Sequence, residues 1–207
     1  METAVKTPVV IYAESTPNPS SMKFVANRML ITDGATAQYL NINEAKGSPL
    51  AGKLFRFPFV KAVFISANFI TITKTDFIAW EDITIELREF LKKYLSEGNA
   101  VVTELPQKTV HTDSSFSDTK TIFTEHTAPA TETEHKIIEM LEQYIRPAVE
   151  QDGGLITFKS FIDGKVTVVL KGSCSGCPSS TITLKAGIEG LLKRMVPEVK
   201  EVVAEAL

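Results

Sequence analysis

Residues 156–180 read ITFKSFIDGKVTVVLKGSCSGCPSS. Asp163-Gly164 is the short-range signal for a two-residue hairpin turn. On one side of it lies the run 156–162. On the other, Val166, Val168 and Leu170 alternate with polar neighbours at the period of a half-buried strand. Past the second arm the chain enters a turn rich in glycine and serine that holds Cys174 and Cys177, and Pro178 suits the first position of a following helix.

The flanking sequence completes a small domain. Before the hairpin, Ile137, Leu141, Tyr144, Ile145 and Ala148 line one helical face; Pro147 either kinks that helix or restarts it, and Asp152-Gly153-Gly154 ends it. After the cysteine turn, Leu184, Ile188, Leu191, Leu192 and Met195 repeat a helical spacing closed by Pro197. Val199-Lys200-Glu201-Val202-Val203 adds a last strand. Residues 135–207 therefore read α-β-β-α-β, two helices on a three-stranded sheet.

The first half reads differently. Runs at 9–13, 22–25, 60–65 and 69–74 are rich in β-branched and aromatic residues. The last two are joined by Ser66-Ala67-Asn68, with Asn68 suited to a positive φ. Trp80, Ile83, Leu87, Phe90, Leu91 and Tyr94 make an apolar helical stripe that Gly98 ends, and a short helix is expected near 49–55. This is a strand-rich sheet with covering helices over residues 1–98, and the aromatic stripe reads as packing.

Between the halves, TVHTDSSFSDTKT (109–121) and TEHTAPATETEH (124–135) carry Thr, Ser and charge without apolar periodicity. Residues 99–134 read as a flexible linker whose roughly 30 residues span about 30 Å, so the two bodies are expected to move independently. Phe116, Ile122 and Phe123 are the positions in it with the means to dock. The fold class is α+β: two small domains and a linker.

Composition removes several functions. The 22 Lys+Arg against 25 Asp+Glu give a net charge of −3, which offers nothing to a phosphate backbone. The 43% hydrophobic and 23% charged content is that of a globular chain, and its longest apolar runs, at 60–65 and 166–170, are of strand length rather than membrane length. The opening residues Met1-Glu2-Thr3-Ala4-Val5-Lys6 lack the design of a secretory signal or an organelle presequence. This predicts a cytoplasmic protein, or a mitochondrial matrix protein already processed.

The chemistry concentrates in the cysteine turn. Cys174 and Cys177 are the only cysteines, which excludes a disulfide scaffold. A strand-to-helix turn brings thiols near the free N–H groups of a helix start, which favours thiolates, and Gly172 and Gly176 let backbone approach a bound group closely. Three readings stand open. An iron–sulfur cluster ordinarily takes four thiolates, so two chains pairing face to face are needed. A disulfide oxidoreductase uses the same spacing, though the hairpin before it is not the βαβ context normally sought. Zinc would need two more ligands, for which His111, His126 and His135 are the candidates; they lie in or beside the linker and read as solvated side chains.

Several stretches resemble a known family. IRPAVEQDGG (145–154), GSCSGCPSSTITLKAGIE (172–189) and PEVKEV (197–202) resemble the C-terminal domain of NifU-like proteins. STPNPSSMKF (15–24), FVKAVFI (59–65) and NFITI (68–72) resemble the Nfu N-terminal domain. The resemblance implies a non-enzymatic iron–sulfur scaffold or carrier. In it Cys174 and Cys177 of two subunits would bind a bridging cluster, [4Fe–4S] rather than [2Fe–2S], and pass it to apo client proteins. It also implies a homodimer through the C-terminal domain when loaded, cluster-assembly proteins as further partners, and a partner-binding or modulating first domain. Leu155 departs from the pattern, since many relatives carry an acidic residue there. Thr16-Pro17-Asn18-Pro19 is read as a rigid turn.

Overall fold

The protein is described here by a computed structural model covering residues 8–32, 34–105, 126–175 and 178–206. Its first unit is a five-stranded antiparallel sheet: β1 (Ile11–Ser15), β2 (Ser21–Ala26), β3 (Thr36–Tyr39), β4 (Val60–Ser66) and β5 (Phe69–Lys74), in the order β1-β2-β5-β4-β3. Strand β3 was not expected, because four residues that include Thr and Gln carry too weak a pattern. Two helices cover one face. α1 (Pro49–Leu54) starts at Ser48, whose hydroxyl accepts from the Ala51 N–H at 3.1 Å, and α2 (Trp80–Ser96) buries Ile83, Leu87, Leu91, Tyr94 and Leu95.

The period of two sorts the strand residues by face. Met22, Phe24, Ala37, Tyr39, Val63, Ile65, Ile70 and Ile72 join the helices in one buried core. Each fully buried large side chain contributes about 1.5–3 kcal/mol relative to exposure. The β4–β5 turn corrects one expectation: the positive φ falls on Ala67 (+40°), not Asn68. The Asn68 amide instead donates to the Ala26 carbonyl at 3.2 Å, bracing β2 from the turn.

The second unit opens with α3 (Glu132–Met140), capped reciprocally by Thr131 and Glu134. It passes through a π-helical stretch, Leu141–Ile145, into α4 (Arg146–Gln151). The proline ring of Pro147 lacks an N–H, and the wider turn before it absorbs that loss. The extra residue also rotates the apolar stripe, which explains why Tyr144, expected on the buried face, is 50% exposed. Then come β6 (Gly154–Ile162), β7 (Lys165–Gly172), α5 (Pro178–Met195) and β8 (Glu201–Ala206), with β8 parallel to β7. Asp163 (φ +52°) and Gly164 (φ +85°) form the expected hairpin turn. Met195, expected to be buried, is exposed at the end of α5, and Val196 takes the inward place.

The packed parts reach into the span expected to be linker. Val101 and Val102 lie against the first core, and the N–H groups of Thr103 and Glu104 donate to the Gly47 carbonyl. On the other side Thr127 N–H donates to the Phe158 carbonyl. His111, Phe116, Ile122 and Phe123 lie outside the described residues.

His126 corrects a further expectation. Its side chain is 2% exposed, Nδ1 accepts from the Phe158 N–H at 2.7 Å, and Nε2 meets the Glu142 carboxylate. These contacts assign the ring proton to Nε2. The same carboxylate receives Arg146 Nη1 at 2.7 and 2.9 Å, and Arg146 Nε reaches Glu150 at 2.7 Å. Burial pushes the Glu142 carboxyl up, but the hydrogen bonds from His126 and Arg146 outweigh it and hold its pKa below the ordinary value of 4.5.

A folded-state pKa below the unfolded one contributes stability above the unfolded value and loses it as pH falls through the folded value. Glu142→Gln is therefore expected to cost about 1–2 kcal/mol at neutral pH, the worth of charge-assisted hydrogen bonds. The gap between variant and wild type should narrow as pH falls below 4.5. Urea unfolding at pH 7 and pH 3.5 checks both.

Candidate functional site

Strand β7 ends at Gly172 (φ +67°), and the chain folds into a tight turn in which Ser175 N–H donates to the Gly172 carbonyl at 3.1 Å. This turn lies against the one that ends α4. Ser173 N–H donates to the Gly153 carbonyl at 3.2 Å, and the Ser173 hydroxyl donates to the Asp152 carbonyl. Cys174 is 5% exposed and belongs to the core of the second unit. Gly154 leaves room for the thiol: a Cβ there would sit 2.7 Å from Cys174 Sγ. Cys177 and Gly176 lie outside the described residues, and α5 begins directly after them.

Gly172 has a different neighbour from the one expected. A Cβ on it would meet the Gly153 carbonyl oxygen at 2.6 Å and Phe64 Cδ1 at 2.8 Å. The missing side chain admits the protein's own backbone and a ring from the first unit rather than a bound group.

That ring shows that the two units touch, against the expectation of bodies about 30 Å apart. The physical reason is on β2, β3, β4 and β5, whose second face is also partly apolar and has to be covered. Phe64 and Phe69 form a buried cluster with Leu155, and Val25 packs on it. Leu155 is 1% exposed there. Polar residues of the same face close the contact. Thr71 Oγ1 donates to the Gly153 carbonyl at 2.6 Å, and Lys23 Nζ donates to the Gln151 carbonyl at 3.1 Å. Gly172 N–H donates to Gln38 Oε1 at 3.0 Å.

The Thr16-Pro17-Asn18-Pro19 stretch is the expected turn, with Ser20 N–H donating to Asn18 Oδ1 at 3.0 Å. It does more than turn the chain. Asn18 is 5% exposed, and its Nδ2 donates to the Ser173 carbonyl at 3.0 Å, across 155 residues of sequence. A cleft of about 380 Å³ opens there, lined by Pro17, Asn18, Asp152, Ser173, Cys174 and Leu184. Sequence reading missed Asn18, since a turn Asn spends one end of its amide locally and nothing local reports where the other end goes.

Neither described histidine is brought to the cysteine turn. His126 is held by Glu142 and Phe158, and His135 stands exposed on α3. Among the described residues no group of three or more His, Cys, Asp or Glu side chains is placed to share one metal ion. Cys174 therefore needs thiolate partners from outside the described residues of this chain to ligate a soft metal.

The fold and site define a class: a two-domain α+β protein whose chain carries two cysteines, Cys174 and Cys177, between a strand and a helix. The chain belongs to the NifU-like family. Residues 11–98 match the family described as "Scaffold protein Nfu/NifU N terminal", and residues 137–203 match the NifU-like domain. It is 36% identical over 192 residues to the "NFU1 iron-sulfur cluster scaffold homolog, mitochondrial" of Drosophila ananassae, covering 93% of this chain and 63% of that protein. It is 36% identical over 197 residues to "NifU-like protein 4, mitochondrial" of Arabidopsis thaliana, covering 94% and 65%. The chain thus spans just under two thirds of the length of these relatives. A solution NMR structure of a NifU-like protein from Saccharomyces cerevisiae aligns with a TM-score of 0.41 at 23% identity, over 50% of this chain and 93% of that one.

Proposed function

We propose that the protein is an iron–sulfur cluster scaffold or carrier in which Cys174 and Cys177 of two chains together hold one cluster, [4Fe–4S] in preference to [2Fe–2S]. The observation that carries this reading is Cys174 in a glycine-rich turn at the wall of an open cleft, three positions before the only other cysteine. Two relatives that align over nearly the whole chain support it, one of them named an iron–sulfur cluster scaffold homolog. Four thiolates from two chains satisfy the ligand count that one chain lacks. A site shared across a two-fold axis opens when the chains part, which suits a cargo meant to leave.

Delivery on this reading is ligand exchange. Thiolates of an apo client replace Cys174 and Cys177 one at a time, each iron–sulfur bond to the client taking the place of one to the protein, and the cluster keeps its electrons. Cluster-assembly proteins load the site and apo iron–sulfur proteins empty it. The relatives are named mitochondrial proteins, which favours the mitochondrial matrix over the cytoplasm as the place of work.

Anaerobic reconstitution with iron and sulfide, followed by metal and sulfide counting on a size-resolved sample, tests the reading. About two irons and two sulfides per chain in a dimer is the expected result for one bridging [4Fe–4S] cluster; about one of each would mean [2Fe–2S]. A colourless monomer that cycles a Cys174–Cys177 disulfide would overturn it in favour of a thiol oxidoreductase.

A further inference from the structure

The contacts between the two units converge on the backbone around Cys174. Asn18 holds the carbonyl of Ser173, the residue directly before it. Thr71 holds the carbonyl of Gly153, which itself accepts from Ser173 N–H. Gln38 accepts from the N–H of Gly172, two positions before the cysteine. Leu155 anchors the set from below by filling the apolar cluster with Phe64 and Phe69. In this arrangement Cys174 is only 5% exposed, and Pro17 and Asn18 line the cleft beside it.

We infer that the first domain is a clamp on the cysteine turn, with Asn18 its positioning residue. The docked state keeps Cys174 turned inward, and a second chain or a cluster can occupy the cleft only as the clamp releases. Docking and cluster loading are then competing equilibria, so a chain that takes up cluster lets go of its first domain, and a chain that docks sheds cluster more readily. The half of this statement that concerns loading rests on the carrier reading. The half that concerns access to the thiol does not.

Two variants test it through independent contacts. Asn18→Asp keeps the oxygen that accepts from Ser20 N–H but replaces the donor to the Ser173 carbonyl with a carboxylate oxygen that repels it. Leu155→Asp puts a charge into the cluster of Phe64 and Phe69 without touching the core of the second unit. The first readout is the iodoacetamide alkylation rate of Cys174 in the metal-free full-length protein, followed by peptide mass spectrometry, with circular dichroism confirming that each variant is folded. Loss of one amide–carbonyl hydrogen bond, with a carboxylate set against the Ser173 carbonyl in its place, predicts roughly tenfold faster labelling for Asn18→Asp, and more for Leu155→Asp.

The second readout is the rate of cluster uptake during reconstitution, expected to rise in step. Labelling at the wild-type rate in both folded variants overturns the clamp. Faster labelling with unchanged uptake overturns the competition with loading. A wild-type chain that takes up no cluster overturns the carrier reading, and the labelling result still judges the clamp.

Discussion

A Cys174→Ser chain carried through anaerobic reconstitution is expected to elute as a colourless monomer with iron at background. In a site shared by two chains, one substitution removes two of four ligands, because both copies carry it. Serine is close to cysteine in volume, so the small, 5% exposed position is filled and the fold persists. Its hydroxyl stays protonated at neutral pH and is a hard donor, a poor match for a site that calls for soft thiolates. Cys177→Ser is expected to behave the same way by the same count. Retention of colour and wild-type stoichiometry in the Cys174→Ser chain would remove that residue from the ligand set. Circular dichroism and a melting curve separate loss of ligand from loss of fold.

The strand-to-helix turn at the cysteines was legible in the sequence because its signals are local: two cysteines three apart, glycines around them, a strand before and a proline after. The β6–β7 hairpin was legible for the same reason, since Asp163-Gly164 states its turn in two residues. Strand β3 was not, because its four residues become a strand only by pairing with β4. The docking of the two domains lay hidden in the alternation of the first sheet. Lys23, Gln38 and Thr71 are polar, yet Val25, Phe64 and Phe69 share their face, and an apolar patch of three large side chains asks for cover.

His126 was misread for a related reason. A histidine among threonines and acids looks solvated, and only the return of the π-helical stretch and β6 brings Glu142 and Phe158 to its two nitrogens. Period and turn chemistry are written along the chain, whereas a contact between surfaces far apart in sequence is written on neither surface alone. Asn18 and Ser173 are the extreme case.

Gly172→Ala is expected to be the most destabilising single-methyl change among the described glycines of the second domain's core. Two costs add. The residue sits at φ +67°, where alanine is disfavoured by about 1 kcal/mol. Its Cβ would also stand 2.6 Å from the Gly153 carbonyl oxygen and 2.8 Å from Phe64 Cδ1. The first is backbone fixed by Thr71 and Ser173, so relief requires the two turns to part, at about 1–3 kcal/mol. The sum, roughly 2–4 kcal/mol, is a large share of the 5–15 kcal/mol that holds a domain together and should lower its melting temperature by on the order of 10–20 °C. Gly98→Ala supplies the control, since Gly98 has φ +75° but no atom beyond its own chain neighbours within 4 Å of the added Cβ. It should lose the strain cost alone, about 1 kcal/mol. Urea unfolding of both variants isolates the collision as the difference between them. Equal losses would mean that strain at positive φ explains both and that the two turns are free to move apart.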